Sequence, residues 1–137
     1  MFDLYGTDRL VAWKSFRDQL ETSLDPYKDT IVFWRKAPYV SDYLENIATE
    51  DWPDPWRLVI DGKYDNLAIN LGILYTLQLT KRFMSVDMEI HRLIDSNRHP
   101  RNFVVVANNI VVDYDSYNVY DFKNLENTVV MYSSSNK

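Results

Sequence analysis

The chain contains no cysteine. That absence removes disulfides, thiolate nucleophiles and Cys-ligated zinc together. Only two histidines are present, His91 and His99, at a spacing that fits no common zinc pair, and an HExxH motif is missing. Glycine is as scarce. Gly6, Gly62 and Gly72 lie too far apart to build a phosphate-cradling loop, and no GxSxG elbow exists. Basic residues are outnumbered, 15 Lys and Arg against 20 Asp and Glu, for a net charge of -5 and a pI near 4.9. Such a surface repels phosphate backbones and anionic membranes, which disfavours nucleic acid as a partner. The longest apolar run, Leu67 to Leu79, is broken by Asn70 and Gln78. It falls short of the roughly 20 residues a bilayer requires, so no membrane partner is expected. The opening MFDLYGTDR has no basic n-region and no apolar h-region. A cytoplasmic setting is therefore expected, and no cofactor and no metal.

What remains is a 137-residue chain, 46% hydrophobic and 15% aromatic, long enough to bury one real core. It reads as one domain over residues 1–137. Thr7 or Asp8 can cap a helix whose apolar face is Leu10, Trp13, Phe16, Leu20 and Leu24. Asp25-Pro26 starts a second helix carrying Tyr27, Ile31 and Trp34 and ending before Pro38. Ser41 can cap a short third helix bearing Tyr43, Leu44 and Ile47. Asp54-Pro55 repeats the start signal, and that helix ends at the Asp61-Gly62 turn. From about Asp65 to Phe83 runs a helix that is apolar nearly all round, so other elements must enclose it. Its stripe Ala68, Gly72, Thr76 predicts the close approach of another backbone.

The second half reads as strands. Val86 to Ile94 alternates, with Val86, Met88, Ile90 and Ile94 on one face and Asp87, Glu89 and His91 exposed on the other. NFVVVANNIVVDYD reads as a hairpin turning at Asn108-Asn109. Its first strand, apolar on both faces, is predicted to be central. Thr128 to Tyr132 is a last strand, and His99 is expected in a turn before Pro100. The predicted class is α+β: N-terminal helices and a central buried helix packed on a C-terminal antiparallel sheet of about four strands.

Several constellations carry chemistry in outline only. Asp113 to Asn118 superficially resembles a calcium loop, but Tyr117, Asn118 and Asn124 stand where a ligand, a glycine and a bidentate Glu are needed. A polar strand exit is the expected reading. Asp51, Asp54, Asp61 and Asp65 fall close in sequence, yet capping and turn roles account for Asp54, Asp61 and Asp65. Trp52-Pro-Asp-Pro-Trp56 sets two indoles on a stiff turn, read as core packing ahead of an interface role. Lys81 to Arg101 holds Lys81, Arg82, Arg92, Arg98 and Arg101 against Asp87, Glu89 and Asp95, read as a solvated face.

From residue 61 onward the order of elements resembles the core of the transglutaminase-like, papain-like superfamily. GKYDNLA is similar to the family's helix start, with Tyr64 at or next to the position of the nucleophilic cysteine. NFVVVANNIVVD is similar to the histidine strand and its partner, which places Asn102 or Phe103 near the family histidine and matches Asp113 to the third residue. The resemblance implies that fold with the catalytic Cys and His missing, since a phenol of pKa near 10 with no histidine beside it does not replace an activated thiolate. The texture of the chain also resembles small proteins of marine tailed phages, which implies a host-cell or virion setting. The expected function is a non-catalytic binding or structural domain acting through protein–protein contacts, self-association included, and not an enzyme. The candidate cleft residues are Tyr64, Asp65, Asn102 and Asp113, and the candidate interaction residues are Trp52 and Trp56. The alternatives are a hydrolase-like enzyme using carboxylates with Tyr64 or His91 at the central helix's N-terminus, and a nucleic-acid-binding accessory protein.

Overall fold

The computed structural model describes residues 1–94, 100–122 and 128–136. Helices come first: α1 (Gly6–Leu20), α2 (Pro26–Trp34), α3 (Pro55–Asp61) and α4 (Asn66–Gln78), with single 3-10 turns at Leu44–Asn46 and Thr49–Asp51. Strands follow: β1 (Met88–Ile94), β2 (Pro100–Val106), β3 (Ile110–Asp113), β4 (Asn118–Asp121) and β5 (Thr128–Ser133). They form one antiparallel sheet in the order β4-β3-β2-β1-β5, and α4 lies between that sheet and the other helices. The α+β prediction holds, with a fifth strand, β4, that its polar sequence had hidden. No helix among the described residues is long and apolar enough to cross a membrane.

Aspartate caps set three of the helix starts. The carboxylate of Asp25 accepts the Lys28 N–H at 3.2 Å, that of Asp54 accepts Arg57 N–H at 2.9 Å, and that of Asp65 accepts Ala68 N–H at 2.8 Å. Proline stands at the first position of α2 and of α3, and Gly62, at φ 72°, closes α3 in the left-handed conformation. α1 departs from prediction. Tyr5 precedes it without a side-chain cap, so Thr7 and Asp8 fall inside its first turn. Trp13 and Leu20 are buried and Leu10 and Phe16 half-buried, but Leu24 lies beyond the helix and faces water. The predicted third helix is only the Leu44–Asn46 turn, and Ser41 does not cap it.

α4 is the core of the core: every residue from Leu67 to Leu77 is buried. The predicted stripe of small residues is filled by an indole instead of a backbone. A Cβ on Gly72 would stand 2.4 Å from Trp34 Cη2, so only glycine fits beneath that ring. One turn on, the Thr76 hydroxyl oxygen accepts the Trp13 indole N–H at 3.0 Å and the Trp34 indole N–H at 2.9 Å, and the hydroxyl donates to Gly72 O at 2.6 Å. α1 and α2 are thereby tied to α4 through a single atom. α4 ends at Gln78, short of the predicted Phe83. There the Gln78 side-chain amide takes over from the helix, donating to the carbonyls of Phe83, Met84 and Val86 at 3.0–3.3 Å.

β2 is central as expected. Val104 and Val106 face the main core, while Phe103 and Val105 join Val111, Leu93 and Phe122 in a second cluster on the outer face. That second cluster corrects the exposed placement of His91. The residue is 8% exposed, its ring stacked 6.0 Å from Phe103 and edge-on 5.4 Å from Phe122, with Nε2 3.1 Å from Glu89 Oε1. The β2–β3 hairpin turns one residue early, with positive φ at Ala107 and Asn108. His99, Asp95, Arg98 and Asn124 lie outside the described residues. The rest of the basic stretch is not one free face: Arg82 donates to Leu20 O and Ser23 O, Arg92 pairs with Glu45, and Arg101 pairs with Asp113.

Replacing Thr76 by Val keeps the side-chain shape but leaves two buried indole N–H groups without an acceptor. Urea unfolding is expected to show a loss of about 2–4 kcal/mol for Thr76→Val and a much smaller loss for Thr76→Ser.

Candidate functional site

The N-terminal tip of α4 meets the start of β2. Asp65, the cap of α4, is itself buried. Its second oxygen accepts the Tyr43 and Glu45 N–H groups at 2.9 and 3.1 Å, so one carboxylate joins the Leu44–Asn46 turn to the helix. Tyr64 just before it is enclosed. Its ring meets Trp34 and Phe2 edge-on, and its hydroxyl donates to Val59 O at 3.0 Å. The tip residue that faces the sheet is Asn66. Its amide N–H donates to Asp115 Oδ1 at 2.7 Å, and its Oδ1 accepts the Asn102 amide N–H at 2.9 Å. Buried Asn102 in turn accepts from Arg92 Nε at 2.9 Å, and the other end of that guanidinium pairs with Glu45. One hydrogen-bonded chain therefore runs Asp115, Asn66, Asn102, Arg92, Glu45, and it joins α4 to β1, β2, the turn after β3 and the Leu44–Asn46 turn.

A second group sits at the end of β3. Asp113 is buried, and its Oδ2 accepts from Arg101 Nη2 at 2.6 Å and from the Tyr120 hydroxyl at 2.7 Å, while Oδ1 accepts Ser116 N–H at 3.2 Å. Partial desolvation pushes the Tyr120 phenol up to about 12, helped by its hydrogen bond to the Asp113 carboxylate and by that charge. Desolvation alone would lower Arg101, but the Asp113 carboxylate more than offsets it and the guanidinium is held up. The Asp115 carboxyl is raised, first by desolvation and then by Asp113, against the hydrogen bond from Asn66 and the charge of Arg101.

Of the four candidate cleft residues, Asp65 is itself the cap of α4 and Asn102 reaches the tip from the sheet, through Asn66, which stands two residues past the expected Tyr64. Among the described residues Asp65 and Asp113 share no hydrogen-bond partner. Two carboxamides bonded to each other carry no titrating proton and no nucleophile, but they orient donors and acceptors rigidly. Sequence reading missed Asn66, Arg92, Glu45, Asp115 and Tyr120. The only signal for Asn66 was its place next to the cap. The loop from Asp113 to Asn118 is a β3–β4 turn with Tyr117 at φ 59°. Its two carboxylates are already bonded to protein groups, and among the described residues no cluster of three or more His, Asp or Glu could hold a metal ion.

The two interaction candidates separate. Trp52 is half-buried, its indole N–H donating to Ile47 O at 2.9 Å and its ring stacked on Tyr132 at 5.9 Å. Trp56 is 45% exposed, contrary to core packing, with its edge against Trp13 and the Arg17 guanidinium 5.6 Å from its ring. Trp52 lines a cleft of about 530 Å³ with Tyr43, Ile47, Asp51, Pro53, Asp54 and Arg57. The backbone of Tyr43 is the link from this cleft to Asp65 and the helix tip.

No protein-family pattern matches the chain, and the comparison with curated proteins gives no match. Three solved structures of Legionella pneumophila LapG share the fold. The EGTA-treated form aligns with a TM-score of 0.66 at 13% identity, covering 96% of this chain and 75% of that one. A second LapG structure gives 0.65 at 13%, covering 96% and 77%, and the calcium-bound form gives 0.63 at 12%, covering 92% and 74%. At such identities the likeness shows the fold alone, and it agrees with the transglutaminase-like resemblance. It also corrects the expectation that the chain is not an enzyme. LapG is a cysteine protease, so neighbours in this fold are enzymes; the missing cysteine removes their nucleophile from this chain and settles nothing further. The calcium-bound and EGTA-treated states belong to LapG.

The Tyr120 phenol gives a pH test. Its folded-state value, about 12, lies above the ordinary value. Its contribution is therefore fully present below about pH 10 and is lost as pH rises through the folded value. Tyr120→Phe is expected to lower stability by about 1 kcal/mol at neutral pH, as for a partly exposed hydrogen bond to a carboxylate. In urea titrations the gap between wild type and variant should stay constant to about pH 9 and narrow above about pH 10.

Proposed function

We propose that this chain is a binding domain acting through contact with another protein, and that the cleft beside the tip of α4 is where the contact is made. The observation that supports this reading is the cleft itself. Its volume, about 530 Å³, falls in the range of ligand sites, and it combines an indole, a phenol and an aliphatic side chain with a few charged groups. The indole of Trp52 is anchored from behind by Tyr132 and by Ile47 O, so it is a rigid aromatic wall of the kind that dominates interfaces. The backbone of Tyr43 in the lining is held by the Asp65 carboxylate at the helix tip. A compass of one domain over residues 1–137 and an origin in a tailed phage belong to the same proposal.

Panning a random-peptide library on the folded protein tests this. Enriched peptides are expected to share a motif, to bind in solution, and to lose about ten-fold or more in affinity to a Trp52→Leu variant with an unchanged circular dichroism spectrum. Peptides that bind the variant equally well would move the contact elsewhere. Mass spectrometry of the same peptides after incubation reads hydrolysis directly.

A further inference from the structure

The occupant of this cleft can be named by its chemistry, an inference that rests on the cleft being the binding site. The segment 41–54, which supplies most of the lining, contains Asp42, Glu45, Glu50, Asp51 and Asp54 and no Lys or Arg. Of these, Glu45 is neutralised by Arg92. Asp51 and Asp54 line the cleft itself, against one cation, Arg57. Asp54 spends one oxygen on the Arg57 N–H and leaves the other, and Asp51 has no side-chain partner among the described residues. The field of Asp54 also reaches the Tyr75 phenol behind Pro53: that phenol donates to Pro53 O at 2.8 Å and is raised by desolvation first, then by Tyr132 and by the charge of Asp54.

The aromatic walls add a second preference. Trp52, stacked on Tyr132, lines the cleft together with Tyr43. A cation over an indole face is attracted by the ring quadrupole, and guanidinium does this best because it is planar and weakly hydrated. The molecule uses the same arrangement internally, where the Arg17 guanidinium lies 4.4 Å from the Trp13 ring. Carboxylates that accept a fork of N–H donors beside an indole that accepts the flat face of the same group describe an arginine pocket.

We infer that the cleft lined by Tyr43, Trp52, Asp51 and Asp54 takes an arginine side chain from an extended segment of a partner protein. The guanidinium would stack on Trp52 and donate to the two carboxylates. Arg57 leaves room for one such cation, since two carboxylates face one resident guanidinium.

NMR titration of the full chain with two capped pentapeptides tests this, one with a central arginine and one with citrulline, which keeps the shape and loses the charge. The arginine peptide is expected to shift the Trp52 indole N–H and to bind roughly ten-fold tighter than the citrulline peptide. Raising salt from about 50 to about 500 mM should remove most of that difference. Asp51→Asn should weaken the arginine peptide several-fold and leave the citrulline peptide unchanged. Equal binding of both peptides with a shifted Trp52 signal would overturn the arginine preference and keep the cleft as a protein-binding site. No shift of Trp52 by either peptide, together with library peptides insensitive to Trp52→Leu, would overturn both.

Discussion

One oxygen holds the helical half of this protein together. Thr76 Oγ1 sits near the C-terminal end of α4, whose residues from Leu67 to Leu77 are all buried, and accepts both tryptophan N–H groups of the flanking helices. Indoles are large and apolar, but each brings a donor that must be satisfied once buried. Placing both donors on one hydroxyl leaves most of α4 free to be apolar, with Asn70 and the Tyr75 hydroxyl as the other polar groups of its buried stretch. It also fixes where α1 and α2 lie along it, since Trp34 must cover Gly72 to reach Thr76.

With the helix held in this way, its N-terminal tip is pressed against the sheet, and the chemistry at that tip follows from which residues arrive there. The transglutaminase-like resemblance implies a thiol at this place. Here the arriving groups are Asn66 and Asn102, locked amide to amide and flanked by Asp115 and Arg92. Such a network fixes the tip of α4 against β1 and β2. The neighbouring cleft is built by the same elements: Asp65 fixes Tyr43 and Glu45, and Tyr75 holds the Trp52–Asp54 turn through Pro53 O.

Much of the architecture was legible in residue order. Asp-Pro pairs marked α2 and α3, Asp65 marked α4, and two-sided apolarity marked β2 as central, because each of these signals acts locally. What was hidden depends on partners distant in sequence. His91 looked exposed by alternation, but Phe103 and Phe122 cover that face of the sheet. Buried Arg9 carries no local sign of its role: its guanidinium satisfies the carbonyls of Phe2, Leu4 and Val59, the last of them 50 positions away. β4 has no periodic pattern because most of its four residues are exposed. Of the candidate site, Asn102 and Asp113 were reached through the resemblance to the transglutaminase-like core. Asn66, Glu45 and Arg92 were not, since nothing in their local sequence announces a partner 36 or 47 positions away.

The fit of the Trp34 ring over Gly72 is the contact from which the position of α4, its tip and the cleft all follow. A double-mutant cycle in urea unfolding tests it. Gly72→Ala is expected to cost about 2 kcal/mol or more in the wild-type background and clearly less when Trp34→Phe has opened space above it, a coupling of about 1 kcal/mol or more. Strictly additive losses would mean that the indole does not rest on the glycine, and the account of how this helix is placed would be wrong.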